Sequence, residues 1–342
     1  MNELKGINTK NTELNLGIKI ETRIQKLEDK VESLRGVYNL MKSKNEHQKR
    51  KIEDAEYDLE NLLQDYKKLK GFPYHKDKFG EYFRLLYNEG VLLAEGSYGE
   101  IYLGVRRGDN MKIAIKRVLK ENIEEFQKID GKFVPKEVVI WKMANRIPGV
   151  IKLLDTIEQK NTFLYIMETP ERGMDLSRYI DEYYIKEKEA SKLFKQIVKI
   201  VIKCKEKGVF HGDIKTDNLL IDFDTRKIKM IDFGFGDIFH DQKYKRRPGT
   251  FVYAPPEYLE NNCYYGESMT VWQLGITLFK MLQGRIPFCT KNEIKKGEWK
   301  LIKKISEEGE NVLRQCLSIY PGTRIKLEDL ITHQWFNEWY DD

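Results

Sequence analysis

The sequence predicts an α+β protein in which a small strand-rich region precedes a larger helical region, with a long helical segment ahead of both. Residues 21–70 contain no proline and a single glycine, Gly36, which favours uninterrupted helix. Runs rich in β-branched and aromatic residues follow at 91–94, 100–105, 112–118 and 162–167. From Asp175 onward the pattern is mostly helical, with short strands expected near 219–221 and 228–231.

Changes in composition divide the chain into four parts. We expect a flexible N-terminus at 1–19, a helical segment at 20–70, a linker at 71–81 and a folded domain at 82–338. The linker begins with Gly71-Phe72-Pro73, which breaks the helical pattern. Within the folded domain, the strand-rich part spans 82–169 and the helical part spans 172–338.

The composition excludes several classes of protein. The 60 Lys and Arg residues against 54 Asp and Glu give a net charge of +6, a mild excess that does not indicate a nucleic-acid partner. The N-terminus lacks an apolar signal region, and no apolar run approaches the ~20 residues of a membrane helix. The four cysteines form no C-x-x-C pair, so we expect reduced thiols in an intracellular protein, cytoplasmic or nuclear, without a membrane partner.

The helical segment carries a heptad pattern. Apolar residues recur at four-three spacing from Ile20 to Met41, and the same register resumes from Ile52 to Leu69 across a polar centre at Asn45 and Gln48. This predicts a coiled coil that forms a homodimer through residues 20–69. Two alternatives are a single amphipathic helix packed on the folded domain and an antiparallel hairpin that turns near 43–47.

A glycine-containing loop at 93–101 is the first candidate for a ligand site. Glycines let the backbone approach phosphate oxygens and donate N–H bonds to them. The first glycine of a G-x-G-x-x-G spacing is replaced by Ala94, so the motif alone could be a simple hairpin. The candidate phosphate-binding residues are Ala94, Gly96, Ser97, Gly99 and Ile101.

One charged residue interrupts an apolar strand that follows this loop. Lys116 ends the run Ile113-Ala114-Ile115-Lys116, and a buried ammonium group needs a partner. Glu137, at the start of the next helical stretch, could supply it and hold the lysine on the α- and β-phosphates of a nucleotide. The alternative is an edge lysine that reaches solvent.

Three further motifs occur in order along the helical part. His211-Gly212-Asp213-Ile214-Lys215-Thr216-Asp217-Asn218 resembles the H-R-D-x-x-x-x-N catalytic loop of protein kinases. Asp232-Phe233-Gly234 follows after a short strand, and Ala254-Pro255-Pro256-Glu257 resembles the A-P-E motif of the same family. The resemblance implies a bilobal protein kinase fold over residues 82–338 and transfer of the γ-phosphoryl group of ATP.

Each of these residues suits that chemistry. Asp213 can orient a substrate hydroxyl and accept its proton, and Lys215 can screen charge on the moving phosphoryl group. Asn218 and Asp232 offer hard oxygen ligands for Mg²⁺. Lys215 together with Gly249-Thr250 resembles the serine/threonine branch rather than the tyrosine branch, which makes Thr250 a further candidate catalytic residue.

Within the protein kinases the chain is most similar to the Pim family. The similar stretches are residues 104–110, 134–139, 149–155, 253–258 and 271–276. The hinge Glu168-Thr169-Pro170-Glu171 also resembles this family, and its proline removes one N–H that would otherwise bind adenine. The resemblance implies that Ala114, Met167, Glu168 and Leu220 also belong to the ATP site.

The chain departs from the usual kinase pattern at three positions. Ala94 replaces a glycine of the phosphate loop, and Gly212 replaces an arginine that in many kinases binds an activation-loop phosphate. Thr270 stands where most kinases have an aspartate that braces the catalytic loop, although the Pim pattern also lacks it. Arg324 is expected to form a buried ion pair with Glu257.

The resemblance also implies a preference for basic substrates. Asp175 and Asp217 match two acidic substrate-binding positions of the Pim pattern, whereas Arg178, Lys280 and Arg285 stand at three positions that this pattern makes acidic. We therefore expect moderate selection of an arginine near the acceptor and none of distant arginines. The alternative is that all five are solvated surface charges.

These residues predict a serine/threonine protein kinase that uses ATP and Mg²⁺ and acts on protein substrates. A bulky residue after the Asp-Phe-Gly motif, here Phe235, favours Ser over Thr as acceptor in kinases. The segment between Gly234 and Thr250 contains no Ser or Thr, which predicts constitutive activity. The alternative is a pseudokinase scaffold that acts through its coiled coil, although Lys116, Asp213, Asn218 and Asp232 form a complete catalytic set.

Overall fold

The computed structural model describes Phe83 and residues 86–96, 99–170 and 172–337. The predicted N-terminus, coiled coil and linker at 1–81 lie outside the described residues, as do Ser97 and Glu171. The chain divides into two compact units. One contains the described residues up to Gly96 together with 100–110, and the other contains Gly99 and the chain from Met111 onward.

The first unit is built from two neighbouring strands. They are β1 (Tyr87–Gly96) and β2 (Gly99–Arg106). The first residue of β2, Gly99, is assigned to the second unit. The turn after β2 is closed by a bidentate pair in which Arg106 Nε and Nη2 donate to the two carboxylate oxygens of Asp109, at 2.9 and 2.5 Å.

The second unit begins with a strand-rich part and one helix. Its elements are β3 (Lys112–Leu119), β4 (Phe126–Ile129), β5 (Lys132–Pro135), α1 (Lys136–Ala144), β6 (Leu153–Glu158) and β7 (Thr162–Glu168). β7 pairs with both β3 and β6 in antiparallel fashion, and Lys116 lies opposite Tyr165. The hairpin β4–β5 turns at Asp130 and Gly131, both with positive φ (48° and 80°), which suits an Asp-Gly turn.

The rest of the second unit is mainly helical. Its helices are α2 (Leu176–Glu182), α3 (Glu187–Glu206), α4 (Pro256–Asn261), α5 (Gly266–Gln283), α6 (Lys291–Lys296), α7 (Glu307–Cys316) and α8 (Leu327–Leu330). Its strands are β8 (Gly173–Asp175), β9 (Val209–Phe210), β10 (Leu219–Asp222), β11 (Ile228–Met230), β12 (Asp237–Ile238), β13 (Lys243–Tyr244) and β14 (Tyr264–Tyr265). β10 pairs with β8 and β11, β9 with β12, and β13 with β14.

Two helices form the centre of this helical part. α3 buries a stripe of residues at three- and four-residue spacing, from Ala190 to Cys204, and its other face is charged. α5 is buried on nearly all sides, because α3 and α7 both pack against it. A helix in this position can anchor segments that converge on it, and the catalytic loop is one of them.

No helix among residues 86–337 that the structure describes is both long and apolar enough to cross a bilayer.

Candidate functional site

The lysine of β3 meets two carboxylates. Lys116 Nζ lies 2.7 Å from Glu137 Oε1 and 3.0 Å from Asp232 Oδ1, and the lysine is only 8% exposed. Glu137 is the second residue of α1, so the position of this helix decides whether the pair forms. The predicted Lys116–Glu137 contact is therefore present, and the structure adds Asp232 to it.

The three charges shift one another's pKa values. Burial would lower the pKa of Lys116, but Asp232 and Glu137 outweigh burial and hold it above its ordinary value. Burial would raise the pKa of Asp232, but the Lys116 ammonium outweighs it and lowers this pKa to about 2. Burial raises the pKa of Glu137. At neutral pH this leaves Lys116 charged and Asp232 ionised.

Asp213 is held on both carboxylate oxygens. Its Oδ1 accepts the backbone N–H of Thr250 at 2.7 Å, and its Oδ2 accepts Asn218 Nδ2 at 3.1 Å. Lys215 Nζ lies 3.0 Å from the same Oδ2 and donates to Thr250 Oγ1 at 2.6 Å. Four of the predicted site residues thus form one hydrogen-bonded group around a carboxylate that is only 3% exposed.

Gly249 makes the approach of Thr250 to this carboxylate possible. A Cβ atom at position 249 would lie 2.4 Å from Asp213 Oδ1, far inside van der Waals contact. The absence of a side chain lets the backbone of the activation segment pass directly over the carboxylate.

Phe233 joins the helix α1 to the catalytic loop through ring contacts. Its ring stacks on Trp141 of α1, with centroids 6.2 Å apart, and lies 5.0 Å from the His211 ring. His211 is buried, and its Nε2 lies 3.0 Å from the Ile231 carbonyl oxygen. Burial lowers the pKa of the His211 ring. Three aromatic rings from three segments therefore fix the backbone on either side of Asp232.

The sequence of residues 87–336 matches the protein kinase domain family. The chain belongs to the protein kinase family.

Several curated kinases are similar over most of this domain. Serine/threonine-protein kinase pim-2 of Danio rerio is 35% identical over 75% of this chain and 87% of its own length. Serine/threonine-protein kinase prk-2 of Caenorhabditis elegans is 33% identical over 75% of this chain, although the match covers 59% of that protein. Serine/threonine-protein kinase 1 of African swine fever virus is 33% identical over 62% of this chain and 71% of its own length.

These relatives agree with the similarity to the Pim family seen in the sequence, and the chain is a protein serine/threonine kinase. The alternative of a pseudokinase scaffold receives no support, because the three relatives carry the name of a kinase. As a protein kinase domain, the chain is expected to use ATP and a divalent metal.

The donor set of this kinase fits a magnesium ion bound together with a nucleotide. Asn218 uses its Nδ2 to donate to Asp213, at its backbone oxygen and at Oδ2, which leaves the Asn218 amide oxygen without a donor among the described residues. Asp232 has a φ of 65°, and its Oδ1 accepts a hydrogen bond from Lys116 Nζ. Its Oδ2 has no donor among the described residues. Within the described residues no group of three His, Cys, Asp or Glu could hold a metal ion.

The residues proposed for the nucleotide base lie on the paired strands β3 and β7 and on β10, which belongs to another sheet. Ala114 of β3 is opposite Met167 of β7. Glu168 ends β7, and its carboxylate binds Lys229 Nζ at 2.6 Å. Leu220 of β10 is opposite Asp175 of β8. Ala94, Gly96, Gly99 and Ile101 lie on β1 and β2, while Ser97 lies outside the described residues.

The acidic residues expected to bind substrate are partly engaged. Asp175 caps α2, because its Oδ1 accepts the N–H of Arg178 at 2.8 Å. Arg178 itself pairs with Glu182. Lys280 donates to Ser177 Oγ at 2.5 Å, which places this lysine beside the start of α2. Arg178 and Lys280 therefore both have partners on α2, and weak selection of distant arginines stays a prediction.

The sequence reasoning missed several residues around the site. Trp141, Lys136, Asp237 and Arg246 connect α1 to the segments after Asp232, and Gln273 contacts the catalytic loop. Gln273 had a visible signal, since it is the only hydrogen-bonding side chain other than Trp272 in the apolar run 271–276. Lys136, Asp237 and Arg246 are charged residues that the sequence alone would place at the surface, whereas Trp141 ends an apolar run that indicates burial but not its partner. Only the tertiary contacts reveal what these residues bind.

Proposed function

We propose that this kinase transfers the γ-phosphoryl group of ATP to serine hydroxyls of proteins through Asp213, and that it does so without phosphorylation of its activation segment. The observation that carries the proposal is the group around Asp213, in which Thr250, Asn218 and Lys215 hold the carboxylate on both oxygens. A carboxylate held this way is oriented before the substrate arrives.

The reaction follows from this arrangement. Asp213 accepts the proton of the substrate hydroxyl as the hydroxyl oxygen forms its bond to the γ-phosphorus and the bond to the leaving ADP oxygen breaks. Lys215, beside Asp213 Oδ2, screens the negative charge of the transferred group. Lys116, fixed by Glu137, binds the α- and β-phosphates.

Magnesium bound by the Asn218 and Asp232 oxygens would neutralise phosphate charge. The phosphate loop of Ala94, Gly96, Ser97, Gly99 and Ile101 stays a prediction of the sequence, as do Ala114, Met167, Glu168 and Leu220 at the base. An intracellular location and the absence of nucleic-acid and membrane partners also stay predictions of the sequence.

Independence from phosphorylation is supported by a carboxylate already present in the activation segment. Asp237 Oδ2 lies 2.9 Å from Lys136 Nζ of α1 and 3.0 Å from Arg246 Nη1. Burial would raise the pKa of Asp237, but these cations outweigh it and lower the pKa. A phosphate group commonly makes contacts of this kind between basic residues, and here the carboxylate makes them without modification.

The one tyrosine in the same segment is not available for modification in this conformation. Tyr244 is 3% exposed, and its hydroxyl donates to the Ile238 carbonyl at 2.8 Å. The segment between Gly234 and Thr250 otherwise lacks hydroxyl side chains. Between Gly234 and Thr250 the folded segment therefore offers no accessible hydroxyl group.

The test is a transfer assay with γ-labelled ATP and a peptide library, using protein treated with phosphatase and checked by mass spectrometry. We expect activity from the unmodified protein, with Asp213→Asn lowered about 10²–10⁴-fold and Lys116→Met lowered similarly, both still folded. An unmodified protein that is inactive until another kinase acts would contradict constitutive activity. Equal transfer by Asp213→Asn would contradict the mechanism.

The same library tests substrate choice. Asp175 and Asp217 support selection of an arginine about three residues before the acceptor through charge-assisted hydrogen bonds. Arg178, Lys280 and Arg285 disfavour arginines farther away. Indifference to the nearer arginine at physiological salt would remove this part of the proposal.

A further inference from the structure

A buried amide joins the central helix to the backbone on both sides of Asp213. Gln273 of α5 is fully buried. Its Nε2 donates to the Gly212 carbonyl oxygen at 3.1 Å, and its Oε1 accepts the N–H of Ile214 at 3.0 Å. One side chain thus satisfies the backbone acceptor before Asp213 and the backbone donor after it.

The chemistry of the amide matches what the loop requires. The loop presents one acceptor and one donor, and a neutral amide can donate to the first and accept from the second at once. A carboxylate could accept from Ile214 but would face the Gly212 oxygen with negative charge. Leaving either backbone group unpaired in this interior would be unfavourable, so Gln273 is matched to both groups.

The backbone conformation at Gly212 explains why the hydrogen bond from Gln273 is needed there. Gly212 has φ of 78°, and a Cβ at this position would lie 2.3 Å from the Phe235 carbonyl oxygen. The loop therefore takes a left-handed turn directly before the catalytic aspartate, tight against the segment after Phe233. The Gln273 bond to the Gly212 oxygen holds this turn in place.

Thr270 lies one helical turn before Gln273 on the same helix. It lines a small cavity together with His211 and Ile214, so it borders the catalytic loop. The sequence pattern of most kinases places a bracing aspartate at this position. In this chain the two backbone bonds around Asp213 come from Gln273, three residues later.

We propose that Gln273 is a positioning residue that holds the Asp213 carboxylate in its reactive orientation through the Gly212 and Ile214 backbone. The inference rests on the proposed role of Asp213. It predicts that loss of the amide lowers kcat while the KM for ATP stays nearly unchanged, because Lys116 and Asp232 are held by other contacts.

Two substitutions separate positioning from simple stability. Gln273→Leu removes both bonds and adds no charge, and we expect kcat to fall about 10- to 100-fold at all pH values. Gln273→Glu keeps both bonds only when its carboxyl group is protonated, and burial raises the pKa of such a carboxyl. We expect its kcat to be near the wild-type value at about pH 6 and to fall at least about tenfold by pH 8.5.

The pH profile is the ratio of the kcat of Gln273→Glu to the kcat of the wild type, measured at each pH. The loop that Gln273 contacts carries the ionisable groups His211 and Asp213, and Arg324 stacks on the ring of Trp272, the neighbour of Gln273 in the chain. All three are present in both proteins, so the ratio reports the ionisation of the carboxyl group introduced by Gln273→Glu together with its effect on these neighbours.

Gln283 on the same helix provides a matched control. It is also buried, and its amide accepts the N–H groups of Ile302 and Lys303 and donates to the Lys303 oxygen. Gln283→Leu therefore loses comparable bonds away from the catalytic loop, and its kcat per folded molecule should match wild type. The folded fraction is measured by titration with a fluorescent nucleotide.

A folded Gln273→Leu protein with wild-type kcat would overturn the proposal, and so would a Gln273→Glu ratio that is independent of pH. An equal loss of kcat in Gln283→Leu would also overturn it, because the effect would then be general. Asp213→Asn is assayed in parallel, and if that variant transferred phosphate normally the proposed mechanism would fail independently of Gln273.

Discussion

Single residues around Asp213 control the orientation of one carboxylate. The Oδ1 and Oδ2 atoms have separate donors, from Thr250 on one side and from Asn218 and Lys215 on the other. A carboxylate held at both oxygens cannot rotate without breaking a hydrogen bond. Small steric changes beside it are therefore expected to affect catalysis more than stability.

Gly249→Ala is the most direct of these changes. Its Cβ would overlap Asp213 Oδ1 at 2.4 Å, so either the carboxylate or the activation segment must shift. We expect kcat to fall roughly 10- to 100-fold with nucleotide affinity retained. Gly322→Ala is the control, since no atom lies within 4 Å of its Cβ position. Similar rates for the two variants would show that the close approach is unimportant.

Phe235 is the residue expected to select the acceptor. It follows Gly234 directly, and a bulky side chain there would crowd the β-methyl group of a threonine substrate. We expect faster transfer to Ser than to Thr in two peptides that differ only at the acceptor, and a smaller difference in Phe235→Leu protein. Faster phosphorylation of the threonine peptide would refute this expectation.

At the scale of elements, α1 is the helix whose position completes the site. Its second residue, Glu137, binds Lys116, and its first residue, Lys136, binds Asp237. Trp141, one turn later, stacks on Phe233. The contacts of this one short helix thus couple the activation segment to the ion pair of Lys116 and Glu137.

Asp237→Asn should weaken this coupling. Without the carboxylate charge, Lys136 and Arg246 repel each other and α1 loses its tie to the activation segment. We expect kcat/KM for ATP to fall about tenfold in a steady-state assay. Glu125→Gln is the matched control, because Glu125 also binds Lys136 Nζ, at 2.7 Å, but is largely exposed. An Asp237→Asn protein as active as this control would contradict the coupling.

A second contact between distant segments of the chain is the buried ion pair of Glu257 and Arg324. Arg324 Nη1 and Nη2 donate to the two Glu257 oxygens at 2.8 and 2.7 Å, as the sequence led us to expect. Glu257→Gln leaves the guanidinium without its counter-charge and should lower the free energy of unfolding by about 3–5 kcal/mol in urea denaturation.

The exposed pair of Glu310 and Arg314 is the control for this change. Glu310→Gln should shift the free energy of unfolding by only about 0–1 kcal/mol. Equal effects of the two substitutions would mean that burial of the Glu257 pair does not matter.

Local patterns located six of the fourteen strands that the structure describes, and the misses have physical reasons. The strands at β3 and β7 were found because their residues are buried and β-branched. The hairpin β4–β5 was missed although Asp130-Gly131 marks its turn, because its flanking residues are largely exposed and show no regular alternation of apolar and polar side chains. β6 was missed because only two of its six residues are buried, so its sequence shows no clear alternation.

At the scale of the whole molecule, the N-terminal heptads predict self-association. The register from Ile20 to Leu69 lies outside the described residues and spans about seven heptads, which as one helix would measure about 75 Å at ~1.5 Å per residue. β-branched residues and Asn45 at the a positions favour a parallel dimer. The lysine-rich centre should make it weak, and weaker at low salt.

Sedimentation of two chains tests this prediction. We expect the full chain to dimerise at tens of micromolar, and a shortened chain that begins at Tyr74 to be monomeric and still active. A monomeric full chain at that concentration would defeat the dimer and favour the hairpin or the docked helix.

The sequence by itself determined the family and the chemical groups of the site. Ordered motifs identify Lys116, Asp213, Asn218 and Asp232, because phosphoryl transfer requires those residue types at that spacing along the chain. Their partners Glu137 and Thr250 could also be named, since each adjoins a recognisable motif.

Only the tertiary structure decided how those groups are held. Gln273, Asp237, Arg246 and Trp141 act through partners up to about a hundred residues away in the chain, such as Lys136 for Asp237. No local pattern encodes such contacts, because polar and aromatic residues have many roles and only the folded backbone decides which atoms approach. The orientation of the catalytic carboxylate is therefore a property of the packed domain, set by segments that converge on it.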